Sequence, residues 1–358
     1  MPAGRESTGL MSAACCDRCG AGAAAQAARV ARRRLLKAAV FPPQAGQATG
    51  QAGVSEIAPD RPVGGFSDPG QLPRAVSGYV LDISPQVLVL GDADNERRYT
   101  LTPDATAWRG ALLEPAAIRQ GDRVVVRLHP SSRHIADRIW ANLGRVTGII
   151  TERAGNQLVV DQGATRAPSV VVIQPRAIGR IQVRFPTLEP GYLVDIMGLR
   201  GDGELIGMIP ATSQPSYPAD RLPAPQLVSG HVPDAIGGSA TWHEPTDEPA
   251  GVLGVNYPAL DPETRCVEDH LSDYGQGYAR MPYLAVGSVL RVRNECTNLD
   301  CMLPVIGCAP MARLFNDRCV TCGTSPRGRV ADLTMASFVA LGGELERGCF
   351  NATITIGE

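Results

Sequence analysis

Two carboxylates and a close pair of cysteines lie together near the C-terminal end of the chain. The first carboxylate opens the segment Asp317–Cys322, which reads Asp-Arg-Cys-Val-Thr-Cys, and the second belongs to Asp332. A carboxylate can donate or accept a proton during catalysis, while two close cysteines can form a disulfide or bind a metal ion. Small and apolar residues at helical spacing follow Asp332, which would also suit a helix N-cap. The spacing leaves both roles open for Asp332.

Strand-like segments surround these residues and must position them. They include Gly238–His243 (Gly-Ser-Ala-Thr-Trp-His), Val286–Asn294, Asp332–Thr334 (Asp-Leu-Thr) and the final run Phe350–Ile356. Together with the Asp-Arg-Cys element at Asp317–Cys319, they resemble in content and order the double-psi β-barrel of expansins, barwin and rare lipoprotein A. The resemblance covers the last third of the chain and implies a six-stranded barrel over residues 235–358.

The resemblance also implies a site. Asp332 matches the residue on which the activity of the family depends, and Asp317 is the second carboxylate of the motif. Thr241 is expected to meet both carboxylates in one open groove. Trp242 and Tyr283 are expected to stack on sugar rings, with packing in the core as the alternative for each aromatic side chain.

The function implied by the resemblance is that of a secreted protein that binds cell-wall polysaccharide, either peptidoglycan or a cellulose-like glycan, and loosens it. Two alternatives stay open, a peptidoglycan lytic transglycosylase of the rare lipoprotein A type and a non-catalytic structural or interaction protein. The lytic branch carries a Thr-Ala-Ser-Gly-Glu element where this chain has Gly254–Pro258. The missing element favours glycan binding over lysis and leaves enzymatic activity undecided.

The ten cysteines fall into two groups. Cys15, Cys16 and Cys19 lie near the start, and seven lie in the last third of the chain. Clustering within one small β-domain predicts disulfides in an oxidising compartment and no bound metal. A zinc site is the alternative, because Cys-x-x-Cys and Cys-x4-Cys spacings suit zinc ligands. The seven disulfide candidates are Cys266, Cys296, Cys301, Cys308, Cys319, Cys322 and Cys349.

A repeat occupies the middle of the chain. Gly78–Leu90 resembles Gly148–Val160, and Gly121–Val126 resembles Gly191–Ile196, both at an offset of 70 residues, from 78 to 148 and from 121 to 191. A shared offset indicates a tandem duplication, and the alternation of apolar and polar residues favours half-buried strands. We therefore expect two small OB-like β-barrels, at residues 76–142 and 143–213, followed by a proline-rich linker at 214–234. Stacking aromatics are sparse in both units, so a spacer or a surface for a protein partner is favoured over nucleic-acid binding.

The beginning of the chain is expected to be an export-signal-like segment and a disordered linker, over residues 1–75. Arg32–Lys37 reads Arg-Arg-Arg-Leu-Leu-Lys and matches the twin-arginine export pattern. This match predicts a location outside the cell or in its envelope. The alternative is a basic amphipathic segment with no role in export.

Composition excludes several other functions. The net charge of −2 gives no general attraction to nucleic acid, and no apolar run is long enough to predict a transmembrane segment. No phosphate-binding loop or dinucleotide fingerprint is present, so no cofactor is expected. The sequence as a whole predicts a mainly β protein with a disordered N-terminus, two OB-like barrels and a C-terminal double-psi barrel.

Overall fold

β-Strands make up most of the residues that the structure describes, as the alternating pattern predicts. The computed structural model describes residues 74–92, 95–163, 166–221, 235–243, 252–260, 281–322 and 325–356. Within these ranges the strands close into three barrels of five, five and six strands, so the expected mainly β fold class is confirmed. The predicted N-terminal disorder, Cys266 and most of the 214–234 linker lie outside the described residues.

The first barrel is built around alternating strands. Its fourth barrel strand, Arg123–Leu128, buries Val124, Val126 and Leu128 in the interior of this barrel. The strands follow the order β1-β2-β3-β6-β5, and the first and last of them pair to close the barrel. All pairs are antiparallel except β3 and β6, which run parallel. The strands are β1 (Ala75–Ile83), β2 (Val87–Asp92), β3 (Asn95–Trp108), the short β4 (Leu112–Leu113) paired with the end of β3, β5 (Arg123–Leu128) and β6 (Ile135–Ala141), with a 3-10 helix at Pro115–Ala117.

The second barrel has the same strand order as the first. It follows β7-β8-β9-β11-β10, closed by β7 and β10, and its one parallel pair is β9 with β11. Each barrel thus has the order that defines an OB-like barrel, with a helical turn before its fourth strand. The elements are β7 (Leu143–Ala154), β8 (Gln157–Asp161), β9 (Ser169–Ile173), helix α1 (Pro175–Arg184), β10 (Leu193–Arg200) and β11 (Glu204–Pro210).

The repeat in the sequence recurs in the backbone geometry. The N–H of Gly121 donates to the carbonyl of Val80 at 2.8 Å, and the N–H of Gly191 donates to the carbonyl of Ile150 at 2.8 Å. Both glycines have a left-handed backbone, with φ of 83° and 87°, which residues with a side chain rarely adopt. The turns that open β5 and β10 therefore require glycine, which explains why the pair recurs at the same offset.

The third barrel has six strands and carries the candidate site. Its order is β12-β18-β14-β15-β13-β17, and β17 returns to pair with β12. Two pairs are parallel, β12 with β17 and β13 with β15, an arrangement compatible with a double-psi barrel. The elements are β12 (Ala235–His243), β13 (Val255–Tyr257), β14 (Val289–Asn294), β15 (Asp300–Cys308), β16 (Asn316–Asp317) at the edge, β17 (Arg327–Thr334), helix α2 (Met335–Ala340) and β18 (Cys349–Ile356), with 3-10 helices at Ala219–Arg221, Pro310–Leu314 and Leu345–Arg347.

Side chains from all three barrels meet in one hydrophobic cluster, while the first and second barrels each keep a separate interior cluster. Val125 and Trp140 of the first barrel are buried in the same cluster as Leu143 and Met197 of the second and Trp242 of the third. All described residues belong to one compact unit, residues 60–358. The tandem barrels therefore pack directly on the barrel that carries the candidate site. None of the helices in the described part is long and apolar enough to cross a membrane.

Candidate functional site

Asp332 lies at the meeting point of three strands. On β17 it pairs with Thr241 of β12 on one side and with Asn256 of β13 on the other. The buried Thr241 hydroxyl donates to Oδ1 of Asp332 at 2.8 Å. The carboxylate is 17% exposed, so one oxygen is held while solvent still reaches the group. The structure thus brings two of the three expected site residues together.

The interpretation of Asp332 as a helix N-cap is wrong. Helix α2 begins at Met335, and its N-cap is Thr334, whose Oγ1 accepts a hydrogen bond of 3.2 Å from the N–H of Ser337. Asp332 lies two residues earlier, in the regular part of β17. Helix capping therefore does not account for the presence of an aspartate at position 332.

His243 is the buried neighbour of this carboxylate. Its Nδ1 lies 3.1 Å from the backbone carbonyl of Asp332 and 3.8 Å from its Oδ2, and Nδ2 of Asn256 lies 3.2 Å from Nε2. These contacts fit a neutral ring that donates from Nδ1 and accepts at Nε2. Burial, reinforced by the charge of Arg166 and partly opposed by Asp332, lowers the pKa of His243 to about 4. His243 is therefore neutral at pH 7.

Asn256 is a site residue that the sequence comparison missed. The sequence of Gly254–Pro258 was interpreted only for its lack of a glutamate. A polar residue between two apolar ones in the buried strand Val255–Tyr257 could have indicated a site residue. A side chain on Gly307 would place its Cβ 2.7 Å from Oδ1 of Asn256. A larger residue at position 307 would therefore collide with Asn256, and glycine there allows the Asn256 amide to contact His243.

Asp317 does not share this position, so the expectation that it faces an open groove is wrong. Its side chain is 0% exposed. Nε and Nη2 of Arg329 donate to its two oxygens at 2.9 and 3.0 Å. Thr212 and Ser239 donate to it at 2.6 and 3.1 Å. The carboxylate is thus saturated by a cation and two hydroxyls, in a place that solvent does not reach.

Arg329 extends this arrangement into the second barrel. Its Nη2 lies 2.6 Å from Oδ2 of Asp195, and Asp195 also receives two hydrogen bonds from Arg145, at 2.9 and 2.7 Å. Burial would raise the pKa of Asp195, but Arg145 and Arg329 together lower it to about 2. The carboxylates raise the pKa of Arg329 despite the burial of its guanidinium. Two arginines and two aspartates thus form one buried ionic network between barrels.

The two aromatic candidates lie in different environments. Trp242 is 0% exposed, and its indole N–H donates to the carbonyl of Leu345 at 2.8 Å. Its expected stacking on a sugar is therefore wrong, and the alternative of core packing holds. Tyr283 is 55% exposed and keeps a ring face available to a ligand. Its role in binding stays a prediction.

A cavity of about 230 Å³ opens in the second barrel beside the strand that carries Thr241 and His243. Arg145 lines this cavity and donates from Nη1 to the carbonyl of Trp242 at 3.2 Å. Arg166 lines it too and lies near enough to His243 to lower its pKa. The remaining polar lining residues are Gln162, Ser169, Arg200 and Glu204. The cavity therefore has more cationic than anionic side chains.

The cysteines of the last third are partly oxidised. Cys296 and Cys322 form a disulfide, and Cys308 is also disulfide-bonded. Three other cysteines of the described part, Cys301, Cys319 and Cys349, are buried free thiols. The disulfide expectation is thus confirmed for Cys296–Cys322.

No protein-family model matches the chain, and no curated protein matches it significantly. The barrel and the side chains around Asp332 therefore provide the evidence for a function.

Proposed function

We propose that this chain binds cell-wall polysaccharide and loosens its packing without hydrolysing it. The observation that carries the proposal is the carboxylate of Asp332, which Thr241 fixes where three strands of the six-stranded barrel meet and which solvent still reaches. A carboxylate with one free oxygen is a good acceptor for a sugar hydroxyl. We propose that the protein acts in the cell envelope or outside the cell. The Arg32–Lys37 segment would direct its export by the twin-arginine route.

The environment of the second carboxylate, Asp317, disfavours hydrolysis. Glycoside hydrolysis normally uses two carboxyl groups, one as acid and one as base or nucleophile. Asp317 is unsuited to the second role, because Arg329 holds both of its oxygens and its side chain is fully buried. His243 is a poor substitute, since its ring is buried and both nitrogens have partners. Binding without hydrolysis fits these residues best.

The cavity next to the site favours peptidoglycan over a cellulose-like glycan. Peptidoglycan carries carboxylate groups on its peptides, whereas cellulose is uncharged. The side chain of Arg166 has no ion pair or hydrogen bond within the described part of the chain, so its charge is available to an anionic ligand. Arg200 lines the same cavity but already has a partner, so Arg166 supplies the attraction. We therefore propose peptidoglycan as the preferred polymer.

A lytic transglycosylase is the second candidate. Such an enzyme can work with one acid/base and the substrate's own hydroxyl as nucleophile, and Asp332 supplies one carboxylate within reach of solvent. The two candidates differ in products, because only the enzyme releases soluble anhydro-muropeptides.

The test uses the purified full-length chain with insoluble peptidoglycan and with cellulose. Co-sedimentation measures binding, and mass spectrometry of the supernatant detects released muropeptides. We expect binding to peptidoglycan, loss of that binding in Asp332→Asn, and no soluble product. Asp300→Asn is the matched control, because this carboxylate lies on the surface of the same barrel and pairs with the exposed Arg291.

The other outcomes are equally informative. Anhydro-muropeptides that disappear in Asp332→Asn would establish the transglycosylase instead. Absence of binding to either polymer would reject both proposals and leave a structural or interaction protein.

A further inference from the structure

Three sulfur atoms meet at one place on the third barrel. Sγ of the free thiol Cys319 lies 3.4 Å from Sγ of Cys296 and 3.5 Å from Sγ of Cys322. Cys296 and Cys322 are themselves joined as a disulfide. Cys319 therefore touches both halves of a disulfide to which it does not belong.

The spacing of these atoms is that of a metal site. All three sulfurs lie within 4.8 Å of one another. A tetrahedral zinc ion with bonds of about 2.3 Å to sulfur holds its ligands about 3.8 Å apart. The contacts of Cys319 are within a few tenths of an ångström of that separation. Only the Cys296–Cys322 bond has to open for three thiolates to surround one ion.

The surrounding backbone supports the same arrangement. Cys319 and Cys322 form a Cys-x-x-Cys turn in which the N–H of Cys322 donates to Sγ of Cys319 at 3.4 Å. A hydrogen bond from the backbone orients a sulfur ligand and stabilises its negative charge. Cys319 is fully buried, while the other two cysteines are half-buried. The cluster is thus anchored in the barrel on one side and reached from solvent on the other.

We propose that Cys296, Cys319 and Cys322 are a zinc site in the reduced protein, which the Cys296–Cys322 disulfide closes in the oxidised protein. Thiolate ligands select zinc among the common divalent ions. The Cys-x4-Cys spacing in the sequence suggested Cys296 and Cys301 as zinc ligands. The structure instead leaves Cys301 outside the cluster, with its sulfur 3.6 Å from the carbonyl of Met302. The fourth zinc ligand would be a water molecule.

The chemistry of the switch balances with a dithiol as reductant. The dithiol gives two electrons to the disulfide, becomes a disulfide itself and transfers its two protons to Cys296 and Cys322. Binding of Zn²⁺ then displaces up to three thiol protons into solvent. Reoxidation by a second disulfide takes two electrons from the Cys296 and Cys322 thiolates and two protons from solvent, so that this disulfide becomes a pair of thiols. It removes two of the three ligands at once, so the ion must leave when the Cys296–Cys322 bond forms again. The site would hold zinc in a reducing compartment and lose it in an oxidising one.

The experiment measures zinc on the full-length chain. Cys15, Cys16 and Cys19 are first changed to serine, so that they cannot supply competing ligands. The protein is reduced with a phosphine under argon, mixed with zinc chloride and freed of unbound ion by gel filtration. Elemental analysis should find one zinc ion per reduced chain and none per oxidised chain. Failure of the reduced chain to retain zinc would overturn the proposal.

Two single substitutions identify the ligands. Mutation of a residue that only hydrogen-bonds to a metal ligand can lower metal affinity by about 100-fold. Cys319→Ser removes a ligand itself and should therefore lower zinc affinity by more than that. Cys301→Ser is the matched control, because it removes another buried thiol of the same barrel, and it should retain the ion. Undiminished zinc in Cys319→Ser would contradict the ligand assignment.

Folding of the variant is checked independently. Cys319 is not part of the disulfide, so oxidised Cys319→Ser should keep the Cys296–Cys322 bond, as peptide mapping would show. X-ray absorption at the zinc edge of the Cys319-containing protein provides a measurement that needs no variant. It should show three sulfur neighbours at about 2.3 Å, and fewer than three would overturn the assignment.

Discussion

Arg329 of the third barrel and Asp195 of the second form a fully buried ion pair, with Nη2 and Oδ2 2.6 Å apart. Each partner also forms a second ion pair, Arg329 with Asp317 and Asp195 with Arg145. A buried pair of this kind stabilises less than its distance suggests, because both ions lose their hydration. Removal of one member is costly, however, because it leaves the other ion buried without compensation.

Arg329→Met should therefore destabilise the protein strongly. The substitution leaves Asp317 without a cation and Asp195 with only Arg145, so we expect a loss of about 3–5 kcal/mol in the free energy of unfolding. Urea denaturation followed by circular dichroism measures this change. Arg98→Met is the control, because its pair with Glu96 is largely exposed, and it should shift the unfolding free energy by at most about 0.5 kcal/mol. Equal effects of the two substitutions would contradict a stabilising role for the network.

Asp332→Asn and Thr334→Ala should separate function from stability. Asp332 does not cap helix α2, so Asp332→Asn should leave the melting temperature nearly unchanged while glycan binding is lost. Thr334→Ala removes the actual N-cap and should cost about 1 kcal/mol of stability with glycan binding intact. Thermal melts and co-sedimentation with peptidoglycan measure the two properties. Intact binding in Asp332→Asn would show that the carboxylate is structural.

The fold could be predicted from the sequence largely because its signals are local. Strand alternation and the glycines at 121 and 191 depend on neighbouring residues, and both reappear in the barrels. The partner of a buried charge depends on contacts far apart in the chain, such as Asp317 with Thr212. No pattern around Asp317 distinguishes a carboxylate in a groove from one neutralised by Arg329. The position of Asp332 beside Thr241, 91 residues away in the chain, could be anticipated only through the family resemblance, which gives no indication that Asp317 is buried.

The same limit applies to Trp242 and to the helix cap. An aromatic residue next to a motif can face a ligand or the core, and only the packing of three barrels decides that Trp242 is buried. Either Asp332 or Thr334 could have begun the helix, since both residue types cap well. Because β17 extends to Thr334, the helix begins after this residue and Thr334 is its N-cap.

Acid should destabilise the protein through His243. Its pKa is about 4 in the folded protein against 6.5 in an unfolded chain, so the unfolded state binds more protons between these values. The stabilisation is present above pH 6.5 and is lost as the pH falls towards 4, by up to about 3 kcal/mol. His243→Gln should flatten this part of the profile of unfolding free energy against pH, whereas His134→Gln, at an exposed position, should leave it unchanged. A wild-type profile that is flat between pH 6.5 and 4 would contradict this role of His243.

Arg166→Gln should weaken binding to peptidoglycan and leave the fold unaffected. Arg166 lines the cavity beside His243 and is only partly buried, so its attraction to a carboxylate is screened by water. We expect a two- to fivefold loss of affinity, which corresponds to about 0.4–1 kcal/mol. The difference between wild type and variant should shrink at high salt, because salt screens the interaction. Arg176→Gln, on the exposed side of helix α1, is the charge-matched control and should bind like wild type. Equal losses in both variants would indicate a general charge effect, and no loss in Arg166→Gln would remove the argument for peptidoglycan over cellulose.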